Sequence, residues 1–125
     1  MLTEFLRLRS GIIDAPIARK ENSIIERCVS DKGQSAITCF EVLENFKDYS
    51  LVKCILETGR THQIRVQMSY IGHPLLGDSL YGISSNLINR QALHSYQIEF
   101  EHPIFKNKIL LEAEIPHDIK ICLTK

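Results

Sequence analysis

The chain has 125 residues, 44% of them hydrophobic, which fits one small globular domain spanning residues 1–125 and excludes a disordered chain. Fifteen basic residues balance fifteen acidic ones, so the formal net charge is zero; this excludes a nucleic-acid binder held by bulk charge and leaves only local RNA contacts, weak for the chain alone. No apolar run approaches the roughly 20 residues that cross a bilayer, the opening MLTEFLRLRSG carries arginines where an export signal would be apolar, and Cys28, Cys39, Cys54 and Cys122 lack CxxC or zinc-finger spacing, so they read as free thiols of a cytoplasmic protein.

In chain order, GIIDAPIARK reads as an extended or looped segment, and Lys32-Gly33-Gln34 as a turn. Residues 35–57 predict a hairpin. SAITCFEVLENF is β-branched and aromatic with apolar residues on both faces, Lys47-Asp48 is the turn, and YSLVKCILET puts Val52, Cys54 and Leu56 on one face. Both strands read as candidates for the middle of a sheet.

After Thr58-Gly59 the period changes. Ile64, Met68 and Ile71 recur at helical spacing, with Thr61 as the expected N-cap and the helix beginning there. Gly72 followed by His73-Pro74 is a stop, and Leu75 to Gly82 is a loop turning at Gly77-Asp78. ALHSYQIEFEH alternates as a half-buried strand with Ala92, His94, Tyr96, Ile98 and Phe100 on its apolar face. HPIFKNK joins it to KILLEAEIP in a second hairpin, and Pro116 to Leu123 can form a terminal helix. The fold class is α+β, mostly antiparallel sheet with a few helices.

The chemistry concentrates in Thr58 to Gly82, TGRTHQIRVQMSYIGHPLLGDSLYG. A strand end, a glycine turn and a helix start expose unpaired N–H groups and partial positive charge, so Arg60 at that end suits an anion such as a phosphate. A solvated surface arginine is an equal reading. Arg65 lies one turn inside, offset from the Ile64–Met68–Ile71 face, too near the core to go without a carboxylate partner. His62 and Gln63 read as braces of the turn, with base contact as the lesser alternative. His73, His94, His102 and Tyr81 read as structural or packing residues, and no histidine pair has metal-site spacing.

This block resembles the late motif of the RluA-type pseudouridine synthases. The likeness runs through most of the chain in order: GIIDAPIARK is similar to the family's G-ID-PI-R segment, Gly33 to Thr38 to its GK-A-T strand start, ALHSYQIEFEHP to its LHA-L-F-HP strand, and IPHD to its terminal P-D turn. The resemblance implies isomerisation of uridine to pseudouridine in ribosomal or transfer RNA, without cofactor or metal, on a base taken out of its stack. It makes Arg65 the partner of a nucleophilic aspartate, which it keeps ionised and aimed. Arg60, Thr61, His62, Gln63 and Ile64 become the substrate-binding residues, and Asp78 matches a position that looks structural.

The family aspartate sits in an HRLD segment, and this sequence contains none. Nor does it have the arginine beside that aspartate, or the family's upstream tyrosine, for which Phe5 is spaced too close to Gly11. The expectation is therefore the C-terminal part of a pseudouridine synthase catalytic domain, inactive alone. Its partners would be RNA and a complementary chain carrying HRLD. The alternative is a non-catalytic RNA- or protein-binding remnant, with an exposed sheet edge that invites self-association.

Overall fold

The computed structural model describes residues 9–82 and 84–124; the opening MLTEFLRL segment, with Phe5, lies outside them. GIIDAPIARK resolves into two short strands, β1 (Ser10–Asp14) and β2 (Ile17–Arg19), and β3 (Arg27–Val29) pairs antiparallel with β2. The expected hairpin forms from β4 (Ile37–Asn45) and β5 (Ser50–Leu56), closed by Phe46 N–H donating to Tyr49 O at 2.8 Å. β1 adds antiparallel to the other side of β4, giving the order β1-β4-β5. Only β4 is therefore central. β5, expected in the middle of a sheet, is an edge among the described residues, and its Ile55 and Leu56 are exposed.

Alternation in β4 decides which face is covered. Thr38, Phe40 and Val42 are buried, whereas Glu41 and Leu43 are exposed. On the buried face lies α1 (Gln63–Tyr70), whose Met68 joins Ile13, Ala15, Phe40, Val42 and Leu75 in one core cluster, flanked by Ile64 and Ile71. The helical spacing of those apolar residues thus identifies the core face. The helix stops as its sequence requires: Gly72 takes φ 88°, its N–H bonds Ser69 O at 3.0 Å, and His73 N–H reaches Met68 O at 2.9 Å. Those two bonds make a Schellman cap.

The helix start departs from expectation. Thr61 does not cap it; α1 begins at Gln63, and His62 stands at the cap position with φ 55°. A turn from Arg60 O to Gln63 N–H (3.1 Å) consumes Thr61 and His62, and the Gln63 side chain binds back to the Thr58–Arg60 segment before the helix.

The second hairpin, β6 (Gln97–Glu101) with β7 (Lys108–Glu112), has the expected antiparallel pairing. It is not half-buried. Every residue of β6 is exposed, and the strand starts at Gln97 rather than Ala92. The alternation holds, with Ile98 opposite Leu111 and Phe100 opposite Ile109, but the described residues place little against that apolar face. The terminal helix α2 (His117–Leu123), with Pro116 at its N-cap, packs Ile119 and Cys122 against Tyr49, Leu76, Ile88 and Ala92. The Tyr49 hydroxyl donates to Cys122 O at 2.7 Å. The four cysteines are free, and Cys39 and Cys54 are half-buried. No helix of the described residues is long and apolar enough to cross a membrane.

Candidate functional site

The TGRTHQ segment is held by a chain of side-chain hydrogen bonds through the interior. Thr58 Oγ1 accepts from Ile37 N–H at 2.9 Å and donates to Gln63 Oε1 at 2.8 Å. Gln63 Oε1 also accepts from Arg60 N–H, and Gln63 Nε2 donates to Ile37 O and Thr38 Oγ1. Thr38 Oγ1 donates to Gln67 Oε1, while Gln67 Nε2 donates to Ala15 O and Ala36 O. Gln67 and Thr38 are wholly buried and Gln63 nearly so. Each unmade bond in such a place costs about 1–3 kcal/mol, so these partners fix the helix on the sheet rather than merely decorate it.

That anchoring sets the opposite side of α1. Arg65 leaves the helix there and meets Asp78, the residue after the Gly77 turn. Nε donates to Oδ2 and Nη2 to Oδ1, both at 2.9 Å, a bidentate pair with 13% side-chain exposure for the arginine and none for the aspartate. Asp78 Oδ1 also accepts from Leu80 N–H (3.0 Å) and Tyr81 N–H (3.1 Å). Burial pushes the Asp78 carboxyl up, but the Arg65 hydrogen bonds, the two backbone N–H groups and the arginine charge outweigh it and hold the group below the ordinary carboxylate range. The same hydrogen bonds raise Arg65 above its usual value.

Tyr81 completes the cluster. Its ring lies under the Arg65 guanidinium, 5.1 Å from centroid to Cζ. Its hydroxyl accepts from Arg27 N–H at 2.8 Å and lies 2.7 Å from His62 Nδ1. Ser69 Oγ donates to Tyr81 O at 2.9 Å, tying the loop back to α1. Burial lowers the His62 pKa, and the charges of Arg65 and Arg27 lower it further, so the neutral imidazole is the favoured partner of the tyrosine hydroxyl.

The expected site residues therefore separate. Arg65 and His62 converge on Asp78 and Tyr81. Gln63 faces the interior network, Ile64 is half-buried against the core cluster, and Thr61 is exposed. Arg60 is three residues before α1, and its Nε donates to Ser35 O at 2.8 Å, so it shares no hydrogen-bond partner with Arg65. Two members of the cluster are not assigned to it by the sequence pattern, Tyr81, which reads as a packing residue, and Asp78, the carboxylate that Arg65 meets within the chain. The available signal was the spacing in GDSLYG: an aspartate two and three residues before free N–H groups is a turn-forming pattern that places Tyr81 beside it. Among the described residues no group of three His, Cys, Asp or Glu side chains could hold a metal ion.

Comparison with known proteins bears on this arrangement. A family model described as RNA pseudouridylate synthase matches residues 5–70. The Bacillus subtilis RNA pseudouridine synthase YjbO is 51% identical over 109 residues, covering 87% of this chain and 38% of that protein. The ribosomal large subunit pseudouridine synthase D of Vibrio vulnificus is 40% identical over 123 residues, again covering 38% of its length. The chain thus spans about two-fifths of the curated relatives it matches. Among solved structures, human RNA pseudouridylate synthase domain containing 1 superposes with a TM-score of 0.76 at 26% identity, over 90% of this chain and 51% of that one.

Proposed function

Because the chain belongs to the RNA pseudouridylate synthase family and is of its RluA type, we propose that it supplies the arginine side of an active site that isomerises uridine to pseudouridine in ribosomal or transfer RNA. The observation that carries this reading is Arg65, a guanidinium that is nearly buried, stacked, and among the described residues gripped on one edge only. The acid it would meet is an aspartate in an HRLD context, absent from these 125 residues and carried on additional chain or on a partner polypeptide. In the reaction the C1′–N1 bond breaks, the base turns, and C1′ bonds to C5; the guanidinium keeps the attacking carboxylate ionised and directed. Arg60, Thr61 and His62 are the residues of this segment that can meet the RNA, and Gln63 and Ile64, which face the interior, hold them in place. Alone, the chain is inactive in this reading, and its setting is the cytoplasm, which suits free thiols.

The test supplies the missing side. A segment that carries HRLD is mixed with this chain or fused to it, and release of tritium from [5-³H]uridine RNA is measured. Activity in the combination, absent from either part and lost at least about a hundredfold on Arg65→Ala, is expected. An inactive combination, or an Arg65→Ala variant as active as the parent, overturns the reading.

A non-catalytic role in binding RNA or protein is the second reading. It is favoured by the exposed apolar face of the β6–β7 hairpin, where Ile98, Phe100 and Leu111 are 57%, 41% and 52% exposed, and by the edges of β1 and β5, which are open among the described residues. A complementary chain or a second copy of this one would pair there.

A further inference from the structure

Two arginines of this chain make the same bidentate contact with an aspartate, and they differ in one nitrogen. Arg90 binds Asp118 through Nε (2.8 Å) and Nη2 (3.0 Å), and its Nη1 is taken by Gln91 O and Leu93 O. All three of its nitrogens serve the fold. Arg65 binds Asp78 through the same two atoms and is the less exposed of the two, yet among the described residues its Nη1 has no hydrogen-bond partner. That atom is not sealed in the interior. A mostly buried guanidinium with one open donor end is a poor use of an arginine for stability alone, because the stem and charge have been withdrawn from water and the N–H bonds at that end left for something else.

We propose that Asp78 and Tyr81 are positioning residues that aim Arg65, leaving the Nη1 end of the guanidinium as the donor edge offered to an acidic group. The inference rests on the reading of Arg65 given above and deepens it. Asp78 fixes the plane of the guanidinium by two parallel bonds and is itself fixed by Leu80 and Tyr81 N–H. The Tyr81 ring closes one face of that plane, and the ring cannot swing because its hydroxyl is held by His62 and Arg27 N–H while its carbonyl is held by Ser69.

The arrangement has an electrostatic consequence. The charged and titratable groups of this cluster are Arg65, Asp78, Tyr81, His62 and Arg27. Arg65 and Asp78 cancel, burial and neighbouring charge favour neutral His62, and Arg27 leaves one positive charge over. A carboxylate arriving at Nη1 therefore gains a directed, charge-assisted hydrogen bond from a cluster of net positive charge, which orients it and keeps it ionised together.

The test uses the chain itself and reads no activity, so its failure is separate from that of the proposed function. In a ¹³C,¹⁵N-labelled sample, Arg65 is expected to show separate Nη1 and Nη2 signals at low temperature, because Asp78 and Tyr81 stop rotation about Nε–Cζ. Acetate, the probe for a carboxylate, should shift Nη1 and leave Nε–H in place. Asp78→Asn, with its amide spectrum retained, should average the two Nη signals and abolish the selectivity. Averaged signals in the parent chain, an acetate shift at Nε instead of Nη1, or an unchanged splitting in folded Asp78→Asn each overturn the proposal. If Asp78→Asn does not fold, the same reading is taken on Asp78→Glu and Tyr81→Leu, where unchanged splitting in both overturns it.

Discussion

Two glycines of this chain hold nearly the same backbone conformation in opposite surroundings, which allows strain and crowding to be measured apart. Gly72 has φ 88°, and a Cβ built there meets nothing within 4 Å. Gly77 has φ 77°, and a Cβ there would lie 2.1 Å from Arg90 O and 2.8 Å from Ile88 Cγ2. Alanine at either position carries the cost of a left-handed backbone, about 1–2 kcal/mol. At Gly77 a backbone carbonyl must also move, and overpacking of that kind adds about 1–3 kcal/mol. Gly72→Ala is therefore expected to lose about 1–2 kcal/mol and Gly77→Ala about 2–5 kcal/mol, a gap of about 2 kcal/mol at the middle of the ranges. For a domain of this size the gap corresponds to about 8 °C in Tm. Urea unfolding of the two variants, followed by far-UV circular dichroism, reads it as a difference in midpoint at constant slope. Equal losses would refute the close approach of Arg90 O to Gly77. Because Asp78 follows Gly77 directly, the larger loss should be accompanied by a disturbed Arg65 side-chain signal, which Gly72→Ala should leave unchanged.

Two further outcomes follow from the interior network and the buried pair. Gln67→Leu keeps the volume but strands Ala15 O and the Thr38 hydroxyl proton, so stability should fall by about 2–4 kcal/mol in urea unfolding, and a loss under about 1 kcal/mol would contradict the network. Asp78 has its folded pKa depressed, so its contribution is complete above the unfolded carboxylate value of about 3.9 and is lost as pH falls through the lower folded value. The urea midpoint should therefore drop on acidification from pH 5 to about pH 3, with a shallower drop in Asp78→Asn, and identical acid slopes in parent and variant would exclude this origin.

How much of this was legible in the residues depends on the range of the interaction that fixes each feature. The helix stop at Gly72, the β4–β5 hairpin, and the face bearing Ile64, Met68 and Ile71 are local patterns, and they are where the sequence puts them. The half-buried character of residues 92–101 is not local. Alternation marks Ile98 and Phe100 as one face, but whether anything covers that face depends on chain elsewhere. The N-cap failed for a related reason. Thr61 is a good cap by type, yet Gln63 finds four partners on Thr58, Arg60, Ile37 and Thr38, and a side chain with all its bonds made in the interior outweighs one exposed capping hydroxyl.

The site shows the same division more sharply. That Arg65 needs a carboxylate follows from its place at the edge of an apolar helical face, and the structure gives it one. Which carboxylate could not be read from spacing, because Asp78 lies thirteen residues on, beyond a Schellman cap and a glycine turn that redirect the chain. A local salt bridge and the grip on an acid from elsewhere are two roles for this arginine. In three dimensions they are compatible, since a guanidinium has two edges. Asp78 occupies the edge made by Nε and Nη2 and leaves the end at Nη1. The local pair is then what holds the free end still, and removing Asp78 should harm the aim of Arg65 while adding positive charge to its surroundings, two effects that the nitrogen signals and the acid slope read separately.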